Sequence, residues 1–166
     1  MAKTNQSLFS DRYRLIPRVL VFATRGESVL LIKGSPTKRN WPNLYNGIGG
    51  HVEKGEDFFS AAHREFMEET GLELLSPWLC ALVTIDATDD VGIIMTIFRG
   101  DIGEGIPHRS DEGIPEFISL EDVGNLPLDE DIPILLQKVM GTKKGIEPIH
   151  AHYHYNDGEL IIDFKE

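Results

Sequence analysis

Glu65, Glu68 and Glu69 stand three and four residues apart within residues 57–70. On a helix, all three carboxylates would fall along one flank. Like charges one turn apart destabilise an isolated helix by roughly 0.2–0.5 kcal/mol per pair, so such a flank calls for a cation. Hard carboxylate oxygens suit Mg²⁺ or Mn²⁺. Mg²⁺ keeps several waters and is usually held by one or two carboxylates together with substrate phosphates. The chemistry this points to is displacement at a phosphate. The competing reading is a solvated acidic face, and E-x-x-E-E alone does not separate the two.

The flanking residues supply the means of placing these acids. Gly47-Ile48-Gly49-Gly50 reads as a glycine-rich turn. Over residues 57–70, Phe59, Ala62 and Phe66 recur at i, i+3 and i+7, which predicts a helix with one buried stripe. Gly71 ends it, because glycine readily takes the left-handed conformation that closes a helix, and Leu72 offers the apolar contact beyond the cap.

The whole spacing runs Gly50, five residues, Glu56, seven residues, Arg64-Glu65, Phe66, any residue, Glu68-Glu69, any residue, Gly71, Leu72. It resembles the signature of the Nudix hydrolases at every specified position. Seven fixed identities would coincide by chance with probability on the order of 10⁻⁸ per window, so the acidic flank is identified as that family's metal helix. The resemblance implies an α+β fold, an α/β/α sandwich in which the signature helix packs beside a mixed sheet. It also implies Mg²⁺ as cofactor, with Mn²⁺ as an alternative, and Glu65, Glu68 and Glu69 as its ligands together with the Gly50 carbonyl. Glu69 or Glu65 would orient the attacking water. Glu56 and Arg64 would pair to brace loop against helix, and Gly71 is structural. A further carboxylate from a later loop is expected as ligand or base; within Ser110-Asp111-Glu112, Glu112 is preferred over Asp111 and over Glu116, against the reading of an ordinary exposed loop acid. Glu53 has no assigned role.

Within that family the chain is most similar to the MutT-like branch that hydrolyses oxidised purine nucleoside triphosphates such as 8-oxo-dGTP. Tyr45-Asn46-Gly47-Ile48-Gly49-Gly50, Ser110-Asp111-Glu112 and Leu128-Asp129-Glu130-Asp131 carry the likeness. It implies that Asn46 and Asp129 read the purine edge, the amide as donor and acceptor and the carboxyl as acceptor or, when protonated, donor. Trp41 could stack on the base, and Lys38 and Arg39, a rare basic cluster in an acidic chain, could contact phosphate. Each has a plainer alternative: Asn46 shaping its turn, Asp129 favouring a helix N-terminus, Trp41 covering the core edge, the two bases solubilising the surface. The chain departs from that branch in having tyrosine before Asn46, a longer preceding loop, no tryptophan before Asp129, and Pro17-Arg18 near the pocket. These bear on the base recognised, not on pyrophosphate chemistry. Other Nudix substrates, namely ADP-ribose, dinucleoside polyphosphates and non-nucleotide pyrophosphates, are the alternatives, and a non-catalytic binding module is opposed by the intact acidic set.

At 166 residues, 41% hydrophobic and 26% charged, the chain reads as one domain, 1–166, with a core of its own. Residues 1–14 are polar, without pattern, and expected to be loosely ordered. The formal charge of −11 argues against a nucleic-acid polymer or an anionic membrane as partner, whereas a small nucleotide is compatible once a cation is bound. A single cysteine, no apolar leader and no long apolar run predict a cytoplasmic protein. The runs 19–22 and 29–32 predict a hairpin through Arg25-Gly26-Glu27, residues 34–44 a loop, and 78–86 and 91–99 two more strands. A short strand is expected at 117–119, a helix at 132–140 with Pro133 in its first turn, and a closing hairpin, 150–155 with 159–164, through Asn156-Asp157-Gly158. On that strand His150, His152 and His154 would share a face. They could bind Zn²⁺ or Ni²⁺, but i, i+2, i+4 ligates poorly and no carboxylate is evident beside them, so an ordinary half-exposed strand face is expected.

Overall fold

The computed structural model describes residues 11–165. Most of the expectation of a loose N-terminal segment lies outside that range. Its last residues are structured: the first strand begins at Arg14, and the Tyr13 hydroxyl donates to Asp86 Oδ1 at 2.8 Å.

The two apolar runs form β1 (Arg14–Arg25) and β2 (Ser28–Gly34), joined through Gly26 at φ 59. They lack strand-like alternation because both faces are covered. Val19, Val21 and Ala23 of β1, with Leu30 and Ile32 of β2, pack on one side, and Leu20, Phe22, Val29 and Leu31 on the other. The hairpin is short. β1 pairs with β2 only at Thr24 and Arg25; over Arg18–Val21 it pairs instead with β4 (Ile48–His51), while β6 (Val91–Ile102) runs parallel along its other edge. β3 (Tyr45–Asn46) and β7 (Gly113–Ser119) both pair with β2. The strand expected at 117–119 thus extends back to Gly113, because β2 supplies partners as far as Gly34.

β5 (Leu74–Asp86) pairs antiparallel with β6 and parallel with β8 (Ile149–Asn156), and β9 (Glu159–Phe164) closes the edge. The sheet therefore runs β3-β2-β1-β6-β5-β8-β9, with β4 on β1 and β7 on β2. The last turn has Asp157 at φ 50 and Gly158 at φ 84, the left-handed pair a two-residue hairpin prefers.

α1 (Phe58–Thr70) packs on the first side of this mixed sheet against Ile48, Phe98 and Ile102. α2 (Ile132–Met140) covers the second side with Ile132, Leu135, Leu136 and Val139. This is the α+β sandwich expected. Asp57 caps α1, its Oδ1 accepting from the Ser60 N–H at 2.9 Å, and Gly71 closes it at φ 71 with its N–H on the Met67 carbonyl. One detail of the stripe differs. Ala62 and Phe66 are fully buried but Phe59 is 48% exposed, its ring edge-on to Phe98 with centroids 4.9 Å apart. Ala61 and Thr70 are buried in its stead, because the sheet wraps the opposite flank of the stripe. Among the described residues, no helix is long and apolar enough to cross a membrane.

Candidate active site

Pairing of β4 with β1 lays the backbone of Gly49 and Gly50 beside α1. Gly50 leaves room for the Glu65 carboxylate, which a Cβ there would push aside. The missing side chain lets a helix carboxylate lie directly on a strand backbone. Glu69 is deeper still, 4% exposed. Burial, then the neighbouring Glu65 carboxylate, pushes its carboxyl up to about 8, against the opposing pull of Lys38 and of the Gly49 N–H. Glu68 lies at the solvent-facing end of the row, with its side chain 59% exposed.

Arg64 holds the row in place. Its Nε and Nη2 donate to the two oxygens of Glu56 at 2.7 and 2.9 Å, and its Nη1 donates to Glu65 at 2.8 Å and Glu68 at 3.2 Å. Nη2 also reaches the His51 carbonyl at 2.9 Å. One guanidinium therefore spans loop, strand end and helix. The Arg64 hydrogen bonds, and after them the Glu53 N–H, bring the Glu56 carboxyl down to about 2. The Glu56–Arg64 partnership implied by the signature is present.

Glu65, Glu68 and Glu69 line a cavity of about 630 Å³, to which two loops also contribute. Lys38 and Trp41 reach it from residues 34–44, with the Lys38 ammonium 5.0 Å above the Trp41 ring. Ser110, Asp111 and Glu112 reach it from the later loop, and Glu112 is ion-paired with Lys38. Glu116, the carboxylate not preferred, accepts instead from the Tyr45 hydroxyl at 2.7 Å. Arg39, expected with Lys38 as a phosphate contact, is exposed and lines neither this cavity nor the next, because the loop turns Lys38 and Trp41 inward in its place. Trp41 also packs against the core under α1, so it covers the core edge and lines the site together.

A second cavity of about 220 Å³ adjoins the first, sharing Arg18, Leu20, Asn40, Trp41, Asn46 and Met95 with it. Here Asn46 Nδ2 donates to Asp129 Oδ2 at 3.0 Å, while Asn46 Oδ1 accepts from the Gly47 N–H at 2.7 Å. Asn46 thus shapes its turn with one end of the amide and faces Asp129 with the other. Asp129 is not part of α2, whose N-cap is Asp131; burial raises its carboxyl above the ordinary range.

Sequence reasoning missed several of the lining groups. Arg18, marked only as a departure, lines both cavities, and its Nε contacts His51 Nε2 at 3.2 Å. Met95 arrives because β6 runs parallel to β1 and places it opposite Arg18, a nonlocal pairing with no local signal. The Tyr153 hydroxyl is buried, unpartnered among the described residues, and lines the smaller cavity. Ser110 likewise has a buried, unpartnered hydroxyl at the larger one.

Asp131, also lining the smaller cavity, is pushed up to about 6 by burial and then by Asp129. The sign of its linkage follows. The unfolded chain ionises near its ordinary value of about 4, the folded chain only near 6, so stability is lost as pH rises through that window and stays lost above it. Asp131 makes no side-chain cap, so asparagine sacrifices none. Asp131→Asn is expected to raise stability by about 1–3 kcal/mol near pH 8 and to have little effect near pH 4.5. Thermal unfolding at both pH values checks this; equal shifts at the two would assign the effect elsewhere.

The donor set fits a hard divalent cation: a buried, under-neutralised Glu69, the Glu65 carboxylate against Gly50, and Glu68 at the mouth, all oxygen. The NUDIX domain family matches residues 13–139. The oxidized purine nucleoside triphosphate hydrolase of Mus musculus is 26% identical over 151 residues, covering 88% of this chain and 90% of that one. Its Danio rerio counterpart is 33% identical over 129 residues, 73% and 76% of the two chains. In fold, the mutator MutT protein from Bacillus halodurans matches with a TM-score of 0.77 at 22% identity, over 90% of this chain and 97% of that one. Because the matched span takes in α1, the glycine-rich strand beside it and the loops that close the cavity, the chain belongs to the NUDIX family and is a hydrolase of phosphoanhydride bonds.

Proposed function

We propose that this enzyme hydrolyses oxidised purine nucleoside triphosphates, such as 8-oxo-dGTP, to the nucleoside monophosphate and pyrophosphate, with Mg²⁺ as cofactor and Mn²⁺ able to replace it. The observation that carries the reading is the Asn46–Asp129 pair, 3.0 Å apart, in a cavity continuous with the one lined by the acidic helix. A base seated on that pair would put its phosphates toward α1. The relatives named for oxidised purine triphosphates lend support.

In this reading Glu65, Glu68, Glu69 and the Gly50 carbonyl hold the cation. When bound, it neutralises phosphoryl charge and lowers the pKa of a water. Lys38 and Arg18 face the substrate's phosphates, which compete with Glu112 for the Lys38 ammonium. Glu112 so released, or Glu69 or Glu65, takes the proton of the water that adds across the anhydride while the bridging P–O bond breaks. Asn46 and Asp129 read the base edge, Trp41 offers a face to stack on, and the free Tyr153 hydroxyl adds a hydrogen-bonding group to the pocket.

The test is kcat/KM with Mg²⁺ for 8-oxo-dGTP, dGTP, dATP and ADP-ribose, scoring monophosphate and pyrophosphate. A preference for 8-oxo-dGTP is expected; ADP-ribose winning would overturn the purine-pocket reading and leave the metal helix standing. Asn46→Ala is expected to cost roughly 10–100-fold in kcat/KM for the preferred purine and less for the others, the range associated with losing one or two polar contacts. Equal losses on every substrate would reduce Asn46 to its hold on the Gly47 N–H.

A further inference from the structure

The histidine strand answers differently from its sequence. His150 is exposed and stands apart, but one ligand atom from each of His152, His154 and Asp163 lies within 4.8 Å of the others. The pairing of β8 with β9 brings Asp163 directly opposite His152, a carboxylate that residue spacing does not disclose. A second, Asp86, comes from β5 on the other side and stands 3.0 Å from His152 Nε2. The expectation of a strand face without acidic neighbours is therefore corrected on both sides.

The geometry points to a borderline transition-metal site, built for Zn²⁺, at His152, His154 and Asp163. His-x-His on a strand places two imidazoles on one face, here with ring centroids 5.3 Å apart and planes 23° from parallel. His154 Nδ1 is buried, makes no hydrogen bond among the described residues, and is 3.5 Å from Asp163 Oδ2. Two ligands of a tetrahedral Zn²⁺ sit roughly 3.3 Å apart, given bonds of about 2.0–2.1 Å, so this pair already spans nearly one edge. Bringing the third ligand in from at most 4.8 Å is a side-chain adjustment, not a backbone one. Asp86 engages one His152 nitrogen and leaves the other for the ion, the carboxylate–histidine–metal arrangement that fixes the ring and raises its basicity. Tyr13 in turn holds Asp86.

His152 and His154 also line an open cavity of about 640 Å³ with Tyr13, Asp86 and Thr88, through which water could reach an ion held there. Two imidazoles with one carboxylate suit Zn²⁺, with Ni²⁺ and Cu²⁺ as competitors, and disfavour Mg²⁺, which takes oxygen. Nitrogen ligands on β8 and an all-oxygen set on α1 thus select different ions in one chain. An ion on β8 and β9 fastens the last hairpin to β5 and, through Tyr13, to the start of β1.

The test uses untagged full-length protein stripped with chelator, then loaded with Zn²⁺ in excess Mg²⁺, with bound zinc measured after dialysis and Co²⁺ as a spectroscopic substitute. One retained equivalent of Zn²⁺, tetrahedral Co²⁺ bands and a raised Tm are expected for the wild type and for Glu69→Gln and His150→Ala. Asp163→Asn and His154→Ala should each weaken retention by roughly 100-fold or more, since even supporting partners of metal ligands cost 10–100-fold. Asp163 is largely exposed, so its asparagine variant tests the site even if a histidine variant does not fold. No retained zinc in the wild type, retention unchanged in Asp163→Asn, or loss in Glu69→Gln alone would each overturn the assignment, the last by placing the zinc on α1.

Discussion

Glu69→Gln is expected to lower kcat by roughly 10³-fold or more while leaving the fold intact, the scale on which removing a group that acts in the transition state is felt. Glu69 is the most buried of the three signature acids, and its charge is favoured by Lys38 and the Gly49 N–H. Glutamine keeps the shape and an oxygen for the Gly49 N–H but removes the charge proposed to hold a divalent cation. In metal-free buffer the variant should unfold at a temperature no lower than the wild type, because it relieves a carboxylate forced beside Glu65 and Glu68. Steady-state turnover with Mg²⁺ and a thermal melt with chelator measure the two halves. Unchanged kcat would dismiss the acidic helix as the catalytic centre; lost turnover with a collapsed melt would mark Glu69 as a structural residue only.

Arg64→Lys should cost roughly 10²-fold in kcat, the penalty typical of catalytic groups displaced by about an ångström. The charge survives this change, so a loss isolates geometry. Lysine cannot reproduce the fork that grips both oxygens of Glu56 while reaching Glu65, Glu68 and the His51 carbonyl. Glu65 would then be free to leave Gly50, and the Mg²⁺ concentration giving half-maximal activity should rise along with the fall in kcat. A variant with wild-type metal dependence and wild-type rate would show that the ammonium alone suffices and that the fork is dispensable.

What could be read from the chain without coordinates was whatever is encoded locally. The end of α1 at Gly71, the helix over Ile132–Met140 and the Asn156-Asp157-Gly158 turn are each decided by a few adjacent residues, and each is present. The acidic row was legible because a helix converts spacing directly into proximity. Contacts made by strand pairing were not. Nothing near Met95 announces that a parallel β6 will carry it to Arg18, and nothing near His152 announces Asp163 across β9 or Asp86 across β5. Arg39 failed for a related reason: composition marks a basic loop, but which of two adjacent cations turns inward depends on where Trp41 packs. Phe59 was misassigned because a period of 3.6 residues leaves neighbouring positions almost equally placed, and the contour of the sheet decides between them.

The change of partner along β1 has an effect on how such an enzyme can be retargeted. Because β4 displaces β2 from the N-terminal part of that strand, the acidic row on α1 and the smaller cavity near α2 rest on opposite faces of one shared strand and meet around Arg18, Leu20, Asn40, Trp41, Asn46 and Met95. Substitutions at Asp131 or Tyr153 would reshape the smaller cavity without passing through the packing that seats Glu65 and Glu69. On the proposed reading, chemistry and choice of substrate can thus change under separate selection, held together by a single strand whose two sides answer to different demands.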